Sequence, residues 1–331
     1  MIISRTPYRI SLFGGGSDFP EYYQVYGGRV LSFAINKYCY ISVRKLPPFF
    51  SHRDRVVYSK VENTVDYSEI QHPAVRACLE YLRPETGVSI THDGDIPARS
   101  GIGSSSAFTV GLLNCLLALQ QKNAEKRFLA EQAIYLEQQV IGETVGSQDQ
   151  ICSAYGGLNT IEFYRDQPFR VIPLDLPEMR QKEFLSHLAL YYTGISRISS
   201  EVAVEQKKKI NQNLSMLKEL ADMAKEAENY LRSEKDISYI GKMLDYAWSI
   251  KKRLSSKVTT DGLDRIYSAA MANGAIGGKL LGAGSGGFML FFASPECHDR
   301  LRKALSDYLY VPFEIDMNGS QIIFNDHGDR V

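Results

Sequence analysis

Apolar residues over the first sixty positions come in short runs and alternations that predict strands. Ile2-Ile3, Arg9–Phe13, Val30–Ile35 and Tyr38–Val43 are rich in β-formers. Gly14-Gly15-Gly16, Gly27-Gly28 and Pro47-Pro48 separate or end them. The period then lengthens. Val75, Leu79 and Leu82 predict a short helix over 73–83, and Gly87–Thr91 a strand. An apolar run through Phe108, Val110, Leu112, Leu113 and Leu116 predicts that a helix over 104–121 is buried. A second helix, 125–141, carries one apolar stripe of Leu129, Ala133, Leu136 and Val140. Glu137 lies beside that stripe, not opposite it, and so points toward protein. Gly142 and Gly146 then bound a turn that holds Ser147–Gln150, and Gly156–Phe163 reads as a turn entering a strand.

Pro168, Pro173 and Pro177 interrupt the pattern, which places a domain boundary within 165–185 and predicts domains of 1–175 and 176–331. Beyond it, Leu188–Tyr192 predicts a strand, 198–232 one long helix and Ile240–Leu254 another. A helix over 261–272 is stopped by Asn273-Gly274. A glycine-dense stretch, 277–287, leads into the strand 288–292. A helix over 296–309 and closing strands at 313–317 and 320–324 complete the pattern. No internal repeat is present. Lys207-Lys208-Lys209 reads as a solvated helix face.

Composition narrows the class. At 331 residues, 44% hydrophobic and 23% charged, the chain is ordinary globular material with room for two domains. Lys+Arg and Asp+Glu both number 38, so no global field draws nucleic acid or an anionic membrane, and an anionic ligand needs a local site. The five cysteines form no C-x-x-C pair, which argues against a disulfide framework or a zinc site and for a reducing compartment. The N-terminal residues lack a signal-peptide pattern and no apolar run reaches spanning length, so a cytoplasmic location is expected.

The candidate chemistry centres on 97–107, Pro-Ala-Arg-Ser-Gly-Ile-Gly-Ser-Ser-Ser-Ala. A Gly/Ser loop opening a helix suits an anion, because helix N-termini expose unpaired N–H groups and partial positive charge. The same residues also suit an ordinary Ser-capped core helix. Gly282-x-Gly284-x-x-Gly287 matches the dinucleotide fingerprint as a string, but a strand follows where a helix start is required. No Gly-Lys-Ser/Thr ending supports a P-loop. Three Gly-rich turns (14–16, 101–103, 282–287) with Asp18, Glu137 and Asp149 nearby match the needs of phosphoryl transfer. These are N–H groups for phosphate, a hydroxyl and carboxylate for Mg²⁺, a carboxylate for the acceptor and a cation for developing charge.

Taken together, the three stretches resemble the motifs of the GHMP kinase superfamily. Residues 97–107 match its Pro-x-x-x-Gly-Leu-Gly-Ser-Ser-Ala motif, with Ile102 for Leu and an additional Ser106. Arg5–Tyr22 resembles the N-terminal motif and Lys279–Gly287 the third, glycine-rich one. The resemblance implies a two-domain α/β (α+β) fold, an N-terminal domain like ribosomal protein S5 domain 2 and a ferredoxin-like C-terminal domain, with ATP and Mg²⁺ between them. By position it implies Gly101, Gly103, Ser104, Ser105 and Ser106 around the ATP phosphates, and Ser105 with Glu137 on the metal. It implies Asp149 as proton acceptor or orienter, with Arg9 beside the reacting oxygen. Gly15, Gly16, Ser17, Asp18, Gly284 and Arg197 are implied on the acceptor side, with Gly282, Gly284 and Gly286 bracing the loop. Within the superfamily, Arg9–Asp18 and Tyr192–Arg197 are similar to the sugar 1-kinases that act on D-glycero-D-manno-heptose 7-phosphate and on fucose. That implies a small sugar or sugar phosphate as partner, with no nucleic acid and no membrane. A homodimer stays open, and the alternatives are a neutral-sugar 1-kinase and a catalytically silent sugar sensor.

Overall fold

The longest strand shows how the chain is layered. In Gly28–Lys45, residues 39–43 alternate buried and part-exposed, whereas 30–35 are buried without a break. The difference is coverage. At Ser32 one face meets Cys152, and at Phe33 the other meets Phe184 and Phe313, so this half of the strand is sandwiched.

The computed structural model describes residues 1–98, 100–167, 169–195 and 199–326. The strands are β1 (Ile2–Phe13), β2 (Gly28–Lys45), β3 (Asp54–Val57), β4 (Val61–Thr64), β5 (Val88–Gly94), β6 (Leu158–Phe163), β7 (Arg170–Pro173), β8 (Leu188–Tyr192), β9 (Ala275–Leu280), β10 (Phe288–Ala293), β11 (Leu309–Tyr310) and β12 (Gln321–Asn325). The α-helices are α1 (Pro20–Tyr26), α2 (Pro73–Leu82), α3 (Ser104–Leu119), α4 (Lys126–Tyr135), α5 (Gln148–Tyr155), α6 (Glu178–Ser186), α7 (Ser199–Lys208), α8 (Leu214–Leu231), α9 (Ser238–Leu254), α10 (Asp261–Ala272) and α11 (His298–Ala304).

β2 is long enough to serve two neighbours on one edge, pairing β6 through residues 28–33 and β5 through residues 39–45. The first sheet runs β12-β1-β2-β5-β3-β4, with β6 and β7 added beside β2. Only β3 and β5 pair in parallel. The second sheet, β11-β8-β10-β9, is wholly antiparallel. That strand order, with helices between β8 and β9 and α11 between β10 and β11, is the ferredoxin-like arrangement expected for the second domain.

As its apolar run predicts, α3 is buried along nearly its whole length, between β1 and β2 on one side and α2, α4 and α5 on the other. Gly111 allows this approach, since a Cβ there would lie 2.8 Å from the Thr6 hydroxyl oxygen. One apolar core continues from the first sheet through α8 and α9 to Phe288, Leu290 and Phe292 of β10, so the two halves are fused through packed side chains.

Several sequence expectations change. The stretch after Gly14–Gly16 contains a helix, α1, started by Pro20. The helix expected over 198–232 is broken by a 3₁₀ turn at Ile210–Gln212, where buried Asn213 donates to the Leu254 carbonyl at 3.0 Å. The break frees α7 to face the cleft while α8 packs on β1 and β2. Residues 313–317 contribute only an isolated bridge between Ile315 and Ile35. The final strand does not stay with the expected second domain, 176–331, because β12 pairs with β1 in the first sheet. No helix among the described residues is long and apolar enough to cross a membrane.

Candidate active site

The three Gly-rich stretches, which lie far apart in the chain, line one cleft of about 620 Å³. Its walls include Arg9, Gly14–Gly16 and Asp18 from the first stretch, Gly101, Gly103 and Ser104–Ser106 from the second, and Gly282 and Ala283 from the third. The Gly142–Gly146 turn, Gln148 and Asp149 close one side, and Ala203, Val204, Leu220, Ala247, Lys251 and Leu254 bring in the second half.

α3 begins at this cleft with Gly103 as N-cap, in the left-handed region at φ 75° and with no side chain to cap the helix. The Ser-cap reading therefore fails, and the helix start meets the cleft through backbone N–H groups and the Ser104–Ser106 hydroxyls. The loop before it is held from two sides. Arg9 accounts for one, its main-chain N–H donating to the Ile102 carbonyl at 3.1 Å and its Nη1 to the Gly101 carbonyl at 2.8 Å. Gly282 accounts for the other: a Cβ on it would lie 2.5 Å from the Gly101 Cα, and one on Gly101 would lie 2.7 Å from the Leu281 carbonyl oxygen. Two glycine backbones in contact explain why the second and third motifs are both glycine-rich.

Asp149 sits in the first turn of α5 and makes a two-pronged ion pair with Arg9, Nε to Oδ1 and Nη2 to Oδ2, both at 2.7 Å. The arginine side chain is 5% exposed and the aspartate 24%, so the pair is anchored on its cationic end and open to the cleft on its anionic end. Burial disfavours the Arg9 charge, but Asp149 overrides this and its pKa is raised. This geometry keeps a carboxylate aimed at the cleft with little rotational freedom.

Asp18 is buried and accepts from the Gly16 N–H at 2.9 Å and the Gln148 N–H at 3.3 Å, tying the first stretch to the start of α5. Burial and the nearby Asp149 charge raise its pKa. Gly146 is required here because a Cβ would fall 1.9 Å from Asp18 Oδ2.

Glu137 lies behind the serine turn and is 1% exposed. It sits in a π-helical turn, Leu136–Ile141, that follows α4 directly and ends at Gly142. Its Oε2 accepts from the Ser106 hydroxyl at 2.8 Å and from Gln150 Nε2 at 2.5 Å, whereas its Oε1 is buried without a hydrogen-bond partner. Burial pushes its carboxyl up to about 7. An orphaned carboxylate oxygen behind a hydroxyl-lined turn is a group that a divalent cation would satisfy. Among the described residues no cluster of three or more His, Cys, Asp or Glu is present.

Several expected residues take other places. Ser106, not Ser105, meets Glu137, and Ser105 lies exposed at the cleft. Ser17 is buried and donates to the Gly14 and Arg29 carbonyls, so it shapes the turn and does not line the cleft. Gly284 presses on Val258, where a Cβ would lie 2.8 Å from the Val258 Cα, and is likewise absent from the cleft wall. Gly286 backs onto the Ile195 carbonyl instead. Arg197 falls outside the described residues. Two lysines in the wall, Lys251 and Lys279, were not expected. Lys251 was legible in outline, since it shares the apolar stripe of α9 with Leu244, Ala247 and Leu254. Lys279 was legible as one charge inside a Gly/Leu run.

Comparisons with known proteins place the chain in a family. The model of the GHMP kinases N terminal domain matches residues 70–157, and that of the GHMP kinases C terminal domain matches residues 216–311. The chain is 30% identical over 316 residues to the D-glycero-alpha-D-manno-heptose 7-phosphate kinase of Campylobacter jejuni subsp. jejuni serotype O:2, covering 92% of this chain and 93% of that one. The chain is a GHMP kinase. Two further relatives bracket this GHMP kinase. The bifunctional fucokinase/GDP-fucose pyrophosphorylase of Arabidopsis thaliana is 24% identical over 91% of the chain, a match spanning 31% of that longer protein. A crystal structure of a D-glycero-D-manno-heptose 1-phosphate kinase from Bacteriodes thetaiotaomicron superposes with a TM-score of 0.79 at 23% identity, covering 97% of this chain and 98% of the other. That likeness shows the shared fold. As a GHMP kinase, the chain is an ATP-dependent phosphotransferase.

Proposed function

We propose that this GHMP kinase transfers the γ-phosphoryl group of ATP to the anomeric (C1) hydroxyl of D-glycero-D-manno-heptose 7-phosphate, giving the 1,7-bisphosphate. The observation that carries the reading is the Arg9–Asp149 pair, an oriented carboxylate facing the cleft beside an uncapped helix N-terminus. The identity to the heptose 7-phosphate kinase over nearly the full length of both chains supports the choice of acceptor.

The residues divide the work as follows. Gly101, Gly103 and the Ser104–Ser106 turn receive the phosphates on backbone N–H groups and hydroxyls. Glu137, through its unpartnered Oε1, and the serine hydroxyls at 105 and 106 would hold Mg²⁺. The ion would supply neutralisation of charge on the phosphate oxygens. Asp149 accepts the hydrogen bond of the anomeric hydroxyl and aims its oxygen at the γ-phosphorus. As the O1–P bond forms and the P–O bond to ADP breaks, the proton passes to Asp149. In a loose transition state little charge builds on the attacking oxygen, so alignment contributes more than basicity. Asp18 with Gly15 and Gly16 shapes the acceptor pocket.

An ADP-release screen over heptose 7-phosphate, fucose, galactose and mannose tests the substrate. The heptose phosphate is expected to give the highest kcat/KM. A higher value for fucose would move the chain to the neutral-sugar kinases, and no ADP release with any sugar would make it a sensor.

A further inference from the structure

Two ammonium groups in the cleft wall have no assigned task. Lys279, on β9, is 7% exposed, and its Nζ donates to the Leu12 carbonyl at 2.8 Å, across the junction between the sheets. Lys251, on α9, donates to the carbonyls of Leu280 at 2.7 Å and Gly282 at 2.5 Å. Among the described residues neither lysine has a carboxylate within 4.0 Å; their hydrogen bonds go to backbone carbonyls, and Lys251 Nζ also lies 6.0 Å from the Trp248 ring centroid. Buried cations without a counter-ion are costly unless a ligand brings one. Arg9 is matched by Asp149, so the charges left over in this cleft belong to the two lysines.

Their positions indicate which anion. An ammonium has three donors, so Lys279 retains two N–H groups and Lys251 one after the bonds above. The carbonyl that Lys279 grips, Leu12, lies between Ser11 and Gly14, both in the cleft wall on the acceptor stretch. The ATP phosphates already have a helix N-terminus and three hydroxyls of their own. Burial, followed by the Arg9 charge, lowers Lys279 to about 7, and burial with Lys279 and Arg9 lowers Lys251 well below the usual lysine range. Both groups therefore gain from a dianion, which favours their charged forms.

We propose that Lys251 and Lys279 form the subsite for the acceptor's own phosphate ester, on the second-domain wall of the cleft. This assignment rests on the sugar-phosphate reading above and deepens it by naming the residues that select a phosphorylated over an unphosphorylated sugar.

The test compares kcat/KM for heptose 7-phosphate with that for the same heptose lacking the phosphate, in the full-length enzyme and in Lys251→Met, Lys279→Met, Lys251→Arg and Lys279→Arg. The ratio of the two constants does not depend on the fraction of correctly folded enzyme. Each Met variant is expected to lower the ratio at least tenfold, and the Arg variants, which keep the charge, to recover a substantial part of it. A Met ratio equal to that of the parent overturns the subsite and assigns the lysines to the transferred phosphoryl group or to the loop alone. A parent enzyme with no preference for the phosphorylated sugar overturns the substrate reading instead. A second measurement needs no variant. Acetic anhydride labelling of the parent enzyme, read by peptide mass spectrometry, is expected to show Lys251 and Lys279 protected by heptose 7-phosphate and not by the unphosphorylated heptose. Equal protection by both sugars contradicts the proposal.

Discussion

Replacing Asp149 by asparagine separates charge from shape at the centre of the cleft. The asparagine fits the same space and retains one oxygen, so one of the two 2.7 Å bonds from Arg9 survives while the other faces an NH₂ group. Removing one member of a buried ion pair costs about 3–5 kcal/mol. The surviving bond to the amide and the 24% exposure of residue 149 reduce this, giving about 2–3 kcal/mol of stability. The melting temperature should then fall by roughly 3–4 °C, which leaves the protein folded at 25 °C. Turnover should fall much further. Loss of a positioned proton acceptor typically costs about 10²–10⁴-fold, or roughly 3–5 kcal/mol in the barrier. ADP release at saturating acceptor measures turnover, and titration with a non-hydrolysable ATP analogue measures nucleotide binding. The expected outcome is turnover lowered at least a hundredfold with nucleotide affinity within threefold of the parent, because the substitution leaves the proposed phosphate site, the 101–106 turn, in place. Turnover within threefold of the parent would refute the role of Asp149. Equal losses of turnover and nucleotide affinity would show that the substitution collapses the loop that Arg9 holds.

Three other substitutions probe the rest of the cleft. Glu137→Gln should raise the Mg²⁺ concentration needed for half-maximal rate by at least tenfold, and Mg²⁺ titration of the rate checks it. In the parent this requirement should climb as pH falls below about 7, where the buried carboxyl takes up a proton. Its folded pKa lies above the unfolded value of 4.5, so the stability it contributes is full below that value and is lost as pH rises through about 7. Denaturant melts across pH, flattened in Glu137→Gln, check that sign. Gly282→Ala places a methyl 2.5 Å from the Gly101 Cα at a φ of +70°, which should cost about 1–3 kcal/mol and raise the KM for ATP severalfold. Steady-state kinetics and thermal melts measure both. Gly146→Ala forces Asp18 aside and should raise the acceptor KM more than the ATP KM. Parallel rises in the two constants would show that Asp18 only holds the start of α5.

Local pattern made much of the fold legible. The largely apolar run after Ser106 predicts a buried helix, and α3 is one. The alternation at Cys39, Ile41 and Val43 matches a half-covered strand. What depends on contacts distant in sequence was not legible. The helix expected over 198–232 divides because Asn213 reaches Leu254, and residues 321–325 leave the second domain because an open edge of β1 receives them. The site divides in the same way. Asp18, Gly101, Gly103 and Asp149 carry local signals, Arg9 was implied by the family resemblance alone, and all five converge on one cleft. Ser106 rather than Ser105 meets Glu137 because a helix turn decides which hydroxyl points inward, and neighbouring serines are alike in sequence. Lys251 and Lys279 were legible only in outline, because lysine is ordinarily a surface residue and the packing of α9 and β9 against the cleft is what gives them a different setting.

The position of the phosphate in the product tests most directly whether this cleft is a kinase site for an anomeric hydroxyl. Turnover of heptose 7-phosphate with ATP, followed by ³¹P and ¹³C NMR of the isolated product, is predicted to show a second phosphorus coupled to the anomeric carbon and its proton. A second phosphorus coupled to any other ring carbon, or ADP release without a new phosphate ester, would contradict it.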